Sequence, residues 1–421
     1  MKSYHHNERG IGITFDDIVL LGGARTPFGD LGGSLARLSP TDLGIIASRG
    51  ALEQTGTSPA AIDQAIIANI GQASYDAYFV ARHIGLYAGL PMGVPELQVQ
   101  RICASGIETI VTGAEQIVLG KADTVLCCGA ESMSLAPTSS FGNRMGYHLG
   151  QVVFKDMLWE ALDDTAAGFS MGETAENVAE KYGITRADTD AFAKCSQDRA
   201  AKAQERGYFA PEIAEVQSAT FTAEGLQPRT IRVGKKGSAV SKDEHVRPTT
   251  AEGLAGLPTA FRKDGVQTAG NSAAIVDGAS AVIITSGSAA RSATRNGSKP
   301  IARIVAAASC GVDPKYMGIG PVPAIRLLLE LTGLRIEDIG LFEINEAFAA
   351  QVIACERLLE LDHATVNVNG GAVALGHPLA ATGTRLALTV ARSMQERGVR
   401  YGIATACIGG GQGTAMLLES I

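Results

Sequence analysis

Aromatic residues make up only 5% of this 421-residue chain, and no stretch approaches the ~20 unbroken apolar residues that a helical membrane span needs. No G-x-G-x-x-G and no G-x-x-x-x-G-K-[ST] occurs, so the glycine signatures of nicotinamide-binding and P-loop proteins are missing. The seven cysteines are odd in number and contain no C-x-x-C, which argues against both a disulfide framework and a zinc site. Free thiols suit a reducing compartment. The first 17 residues are polar, with His5, His6, Glu8, Arg9, Asp16 and Asp17, and lack the basic start and apolar run of a secretory signal. They are expected to form a flexible lead-in (1–17), and a cytoplasmic location is expected with them. A net charge of −7 offers no general attraction for nucleic acid, so any anionic ligand must be met by a local basic site.

What the chain has in quantity is glycine, 50 residues of it, which points to tight turns and close backbone approaches. The apolar run Ile18-Val-Leu-Leu21 predicts a strand, and Ser39-Pro40-Thr-Asp42 reads as a capped helix start. The same grammar returns at Ser58-Pro59, followed by the apolar run Ala65–Ala68. Next comes Cys103-Ala-Ser-Gly106, directly before a segment in which Ile107, Ile110, Val111, Ala114, Ile117 and Val118 recur on one helical face. A thiol at a helix start lies near unpaired N–H groups and the positive end of the peptide dipoles, which predicts a lowered pKa. A small buried apolar role for Cys103 is the alternative on these residues alone. Strand Thr124-Val-Leu-Cys-Cys128 follows, and the alternation of strand and helix predicts a mostly parallel sheet covered by helices.

From about Ser134 to Thr268 the grammar changes to short helical pieces and polar connections, among them a helix from Ala187 to Arg206 opened by Thr185-x-x-Asp188. The basic run Arg229, Arg232, Lys235, Lys236 and Lys242 reads either as a solvated loop or as a contact for a phosphate-bearing ligand. Beyond Lys299 the first pattern recurs. Thr55-Gly56 through Asn69 matches Thr332-Gly333 through Asn345, and Cys103, helix, Gly120, strand and Gly129 are echoed by His377, helix, Gly398, strand and Gly409. Two halves of similar build are therefore expected, 18–134 with 269–298 and 299–421, with 135–268 inserted in the first. In such a duplication corresponding loops face one another, which predicts that Cys103 and His377 are neighbours. Asn345-Glu346-Ala-Phe348, His377-Pro378 and the glycine loop after Cys407 add an amide, an imidazole and a second thiol. Together these are the parts needed for covalent acyl transfer.

Arg25-Thr-Pro27, Cys103-x-Ser-Gly106, Gly129-Ala-Glu-Ser-Met-Ser134, Met171-Gly-x-Thr-Ala-Glu-Asn-Val178, Asn345-Glu-Ala-Phe348, Gly370-Gly-x-x-x-x-Gly-His-Pro378 and Cys407-x-Gly-Gly-Gly-Gln-Gly413 resemble the thiolase family of acetyl-CoA acetyltransferases and 3-ketoacyl-CoA thiolases. The resemblance runs from about Asp17 to Ile421. It implies an α/β fold of duplicated halves in five α-β-α-β-α layers, with an inserted loop domain that binds coenzyme A. It implies cleavage of 3-ketoacyl-CoA by CoA, or the reverse condensation of acyl-CoA with acetyl-CoA, in two ping-pong steps. Cys103, activated by His377, would carry the acyl group, and Cys407 would act as acid and base at the α-carbon. His377 with a water on Asn345 would stabilise the enolate, and the N–H groups of Cys103 and Gly409 would form a second oxyanion hole. Arg247 matches a position near the nucleotide end of CoA, while Met171, Phe261, Ala269, Ala347 and Phe348 match positions lining the tunnel.

The resemblance further implies CoA and acyl-CoA as substrates, no permanently bound cofactor or metal, and a homodimer or homotetramer. Three positions depart from the family pattern: Ala273 where many members have serine, Ser170 where short-chain members often have histidine, and Leu379-Ala-Ala381 in place of a glycine-bearing turn. A ketoacyl synthase-like condensing enzyme would use two histidines, or histidine with asparagine, where this chain has Cys407. A catalytically silent CoA-binding assembly subunit would not need all four of Cys103, Asn345, His377 and Cys407.

Overall fold

The computed structural model describes residues 3–7, 10–234, 239–293 and 299–421. Its sheet is built from β1 (Ser3–Asn7), β2 (Gly10–Arg25), β3 (Gln64–Ala68), β4 (Glu96–Val99), β5 (Thr124–Glu131), β6 (Val276–Ser286), β7 (Ala302–Gly311), β8 (Leu341–Ile344), β9 (Tyr401–Ile408) and β10 (Gln412–Glu419). From edge to edge the order is β8-β9-β10-β7-β2-β6-β5-β3-β4.

That order contains a repeat. Numbering the strands by their place in each half, the first half runs 3-2-4-5-1, with the 3-2 and 2-4 pairs parallel and the 4-5 and 5-1 pairs antiparallel. The second half repeats both order and sense: β8 with β9 is parallel, and β9 with β10 and β10 with β7 are antiparallel. A parallel bridge from Phe342 to Val366 stands where β3 meets β4. The expected mostly parallel sheet is therefore corrected to a mixed one, because the fifth strand of each half returns antiparallel between its fourth and first.

Among the described residues, eight helices of nine residues or more complete the frame: α1 (Pro40–Thr55), α2 (Val80–Ala88), α3 (Ser105–Val118), α4 (Met171–Tyr182), α5 (Arg186–Glu205), α6 (Pro321–Thr332), α7 (Ala349–Leu359) and α8 (Leu379–Arg397). Their limits follow from local chemistry. Ser39 and Asp42 form a capping box at the start of α1, and Gly56 ends it at φ +62°, a left-handed conformation that glycine adopts without a Cβ penalty. Thr185 and Asp188 do the same for α5, one residue ahead of the expected start.

Three apolar clusters define five layers. One joins α1 and α2 to the outer face of the first half's sheet, through Leu43, Ile45, Val80, Ile84, Ile67 and Ile283. The central one places Ile107, Ile110 and Ala114 of α3 with Leu386, Val390 and Met394 of α8 between Val125 and Val282 on one side and Ala404 and Met416 on the other. The third holds α6 and α7 to the far face of the second half.

Residues 10–17, expected in a flexible lead-in, instead form the first half of β2. Gly10 to Thr14 pair with Cys310 to Ala306 of β7, and Ile13 and Phe15 are buried. The alternating pattern was there to see, but the polar Asp16 and Asp17 interrupt it. Arg25 has its guanidinium wholly buried, donating to Glu212 at 2.7 Å and to Asp243 at 2.7 and 2.8 Å. It ties the inserted segment to the sheet.

The middle layer depends on one close approach. A Cβ on Gly106 would lie 2.4 Å from the backbone N of Thr384 and 2.8 Å from the Cα of Gly383. Gly106→Ala is therefore expected to destabilise the fold by about 1–3 kcal/mol or more through overpacking. Gly93→Ala, with nothing within 4 Å of its added methyl, should stay within about 0.5 kcal/mol of wild type. Urea unfolding of the two variants checks this.

Candidate active site

The α3–α8 contact brings the N-terminal ends of both helices together. Cys103 lies in a single 3-10 turn, Ile102–Ala104, immediately before α3, and shares an apolar cluster with Leu379, two residues beyond His377. Ile102 is held at φ +42°, a costly conformation for a β-branched residue, which aims the following thiol. Parallel pairing of Ile344 with Thr405 sets Asn345 beside the end of β9, where Cys407 sits, and Asn345 donates its backbone N–H to the Thr405 carbonyl at 2.9 Å.

The polar contacts are specific. Asn345 Nδ2 lies 3.3 Å from His377 Nε2, and His377 Nδ1 lies 2.6 Å from Thr382 Oγ1. Thr382 Oγ1 in turn donates to the Pro378 carbonyl, so it accepts from Nδ1–H, and this network leaves Nε2 as the unprotonated nitrogen. Burial, with the charge of Arg385, pushes His377 down to about 3, so the imidazole is neutral near pH 7. The backbone N–H groups of Gly409 and of Cys103 act on the Cys103 sulfur in the direction that favours its thiolate. Asn345 Oδ1 is buried and has no partner among the described residues.

The expectation of a lowered Cys103 pKa is overturned. Burial raises the thiol to about 11 and Glu131 adds to the rise, while the two N–H groups only partly offset them. The helix does not begin until Ser105, and a thiol 8% exposed loses more hydration than the helix end restores. Cys407 is likewise raised by burial and by the nearby Cys103, which puts the two sulfurs within each other's field. Both thiols are thus protonated at rest. A neutral imidazole accepting at Nε2 is the group suited to remove such a proton as a bond to carbon forms.

Around Cys407 an apolar wall is formed by Ala175, Met317, Ala347 and Phe348, with Met171 and Phe261 against it. Phe261 meets Phe348 edge to face at 5.8 Å. Ala273, at the serine position, donates its backbone N–H to the Ala347 carbonyl, and Ser170 caps α4 together with Glu173. Ala269 and Arg247 are exposed and are not among the side chains packed on Cys407. A cleft of about 720 Å³ opens beside Ile102, Met171, Gly409 and Gly410. Another hollow, of about 680 Å³ near Tyr208 and Arg392, is lined by none of these site residues.

The basic run is not a single anion site. Arg229 is consumed by Asp42 at 2.6 Å, Asp76 at 2.7 Å and Ser39 at 2.9 Å, clamping the start of α1. Arg232 and Lys242 are exposed, and Lys235 and Lys236 lie outside the described residues. Two groups that carried no role in the sequence reading help build the site. Glu131 accepts from Gly71 N–H at 2.9 Å, Asn69 Nδ2 at 3.0 Å and Ala380 N–H at 3.2 Å, fixing the first turn of α8, and its burial raises its carboxyl to about 7. A glutamate ending an otherwise apolar strand was its signal. Thr382, about one helical turn beyond His377, was the other.

A duplicated α/β fold that closes two thiols, a neutral imidazole and a carboxamide into one buried site defines a thiol-dependent acyltransferase. The thiolase N-terminal domain family matches residues 18–288 and the thiolase C-terminal domain family matches 298–420, so the chain belongs to the thiolase family. The mitochondrial 3-ketoacyl-CoA thiolase of Bos taurus is 44% identical over 405 residues, 96% of this chain and 98% of that one. The acetyl-CoA acetyltransferase of Pseudomonas aeruginosa is 42% identical over 410 residues, 96% and 99% of the two chains. Human mitochondrial 3-ketoacyl-CoA thiolase in complex with CoA superposes with a TM-score of 0.90 at 42% identity, over 96% of this chain and 98% of that chain.

Two outcomes follow from the imidazole. Thr382→Val frees His377 to take the wrong tautomer and should lower kcat about 10- to 100-fold with KM little changed, read by steady-state kinetics. A histidine depressed to about 3 when folded binds its proton in the unfolded chain first. Its contribution is therefore present above the unfolded value of about 6.5 and is lost as pH falls towards 3. His377→Asn should flatten the decline in urea midpoint between pH 6.5 and 4 relative to wild type.

Proposed function

We propose that this thiolase cleaves 3-ketoacyl-CoA with CoA, and runs the reverse Claisen condensation of acyl-CoA with acetyl-CoA, through an acyl group carried on Cys103. The observation that carries the reading is the pairing of a neutral His377 with the protonated Cys103 and Cys407 in one enclosure. In the first step His377 Nε2 takes the Cys103 proton while the sulfur attacks the substrate carbonyl. Negative charge then moves to the carbonyl oxygen, and the N–H groups of Gly409 and Cys103 meet it there. In thiolysis that adduct collapses by breaking the C2–C3 bond, and Cys407 protonates the departing acetyl carbanion to give acetyl-CoA. The protonated His377 and the Asn345 amide stabilise the enolate oxygen as charge appears. Free CoA then attacks the acyl group and releases the Cys103 thiol, which recovers its proton. In condensation CoA leaves as Cys103 is acylated, taking the proton held by His377. Cys407 then removes a proton from the α-carbon of a second acetyl-CoA, whose carbanion attacks the acyl-Cys103 carbonyl.

Met171, Phe261, Ala269, Ala347 and Phe348 wall the pantetheine path in this reading, while Arg247 lies towards the nucleotide end. The inserted segment supplies the CoA-binding cover, and no cofactor is held between turnovers. The relatives include both an acetyl-CoA acetyltransferase and a 3-ketoacyl-CoA thiolase, and the departure at Ser170 from the histidine of short-chain members favours the broader range. No described helix is long and apolar enough to cross a membrane. We place the protein in the cytoplasm, where its seven free thiols stay reduced. A homodimer or homotetramer is supported by the open edge of β4, where Leu97 is exposed, and by exposed Phe141, Met145 and Phe154 in the insertion.

Acyl trapping tests the reading. Wild type incubated with acetyl-CoA should show an acetyl adduct on the Cys103 peptide by mass spectrometry, and Cys103→Ala should show none. Cys407→Ala should retain the adduct while losing condensation by about 1,000-fold or more. Full turnover in both variants would sink the mechanism.

A further inference from the structure

Of the seven cysteines, six are buried and one is not: Cys195, on α5 in the inserted segment. It is not an isolated thiol. His363, in the turn after α7, lies with Nε2 3.4 Å from Cys195 Sγ and Nδ1 2.8 Å from Glu356 Oε1 on α7. The ring is held on a further side by Phe192, edge to face at 5.6 Å. Arg199, one turn along α5, donates to the carbonyls of His363 at 3.0 Å and Val366 at 2.6 Å, which fixes the turn that carries the imidazole. A thiol, an imidazole and a carboxylate are thus in hydrogen-bonded sequence at a partly exposed surface, on elements drawn from both the insertion and the second half.

We propose that Cys195 is a modification site, a second reactive thiol at which hydrogen peroxide and similar hydroperoxides form a sulfenic acid. Glu356 accepts from Nδ1–H and so keeps the ring proton-rich, and Nε2–H donates to the sulfur. The groups acting on the sulfur from the packed elements are His363, Arg199 and Glu346, with Glu356 behind the ring. The hydrogen bond from His363, with the charges of Arg199 and His363, outweighs burial and Glu346, so the thiol falls below its ordinary value, while the histidine is raised to about 9 by Cys195 first and Glu356 second. The step balances. A sulfur lone pair attacks one peroxide oxygen, an S–O bond forms and the O–O bond breaks. Sulfur loses two electrons, and the second oxygen leaves as hydroxide, which takes the Nε2 proton and becomes water. No sizeable hollow is needed, because the oxidant is two oxygens long. The proposal is independent of the thiolase mechanism, since none of these residues is placed in that site.

The test uses the full-length protein treated with hydrogen peroxide and dimedone, with adducts read on each cysteine peptide by mass spectrometry. Cys195 should label ahead of the other six. His363→Gln should slow Cys195 labelling about tenfold or more while leaving thiolase activity and the circular dichroism spectrum unchanged. Alkylation of Cys195 by iodoacetamide should rise less steeply between pH 6 and 8 than that of an ordinary thiol, which changes roughly 100-fold. If His363→Gln does not fold, Glu356→Gln should slow labelling in the same direction. Labelling of Cys195 no faster than of Cys103, rates unaffected in a folded His363 or Glu356 variant, or an ordinary thiol pH profile would each overturn the proposal.

Discussion

The contact between Gly106 on α3 and Gly383 on α8 is the constraint on which the rest of this molecule depends. Two helices from opposite halves touch backbone to backbone there, since a side chain on either glycine would meet main-chain atoms of the other helix. With the helices that close, their N-terminal ends converge, and residues 274 apart in sequence can share one site. The surrounding layers hold this geometry: apolar side chains from both half-sheets close over the pair, and Glu131 binds the first turn of α8 to the loop after β3. The site is rigid because it rests on helix ends and strand ends rather than on free loops.

Its electrostatics follow from enclosure. Both sulfurs and the imidazole are held in their uncharged forms by burial, and the field that would favour an anion is supplied only by oriented N–H groups. Such a site stores no resting charge. Charge arises only when a bond to substrate carbon is made, and it arises where fixed donors already point, so little reorganisation is needed at that moment. A thiolate kept at rest in the same place would be exposed to any electrophile that entered.

Much of this was legible in the residues. The duplicated order Thr-Gly, apolar strand, Asn could be read twice, and capping boxes at Ser39 and Thr185 gave helix starts to within a residue. What could not be read was anything that depends on distance across the fold. Arg25 and Arg229 look alike in sequence to arginines that meet a ligand, yet each is satisfied by carboxylates more than 150 residues away. The direction of the Cys103 shift was misjudged because a helix start is visible in sequence and the depth of burial is not. The strand at 10–17 was missed because its partner, β7, comes nearly 300 residues later, and only that pairing makes its polar positions tolerable. Thr382 is set by helical geometry around a histidine whose tautomer no sequence pattern encodes.

The junction between the halves carries a meaning of its own. The first strand of each half pairs antiparallel with the first strand of the other, so β2 and β7 have no open edge inside this chain. A single half standing alone would present that strand unpaired, and its natural complement would be the same strand of an identical molecule, related by a two-fold axis. Fusion turns such an encounter between two small proteins into a permanent seam, with no dependence on concentration. Within one chain the two halves need not be alike, and here one places a thiol just ahead of its helix while the other places an imidazole there.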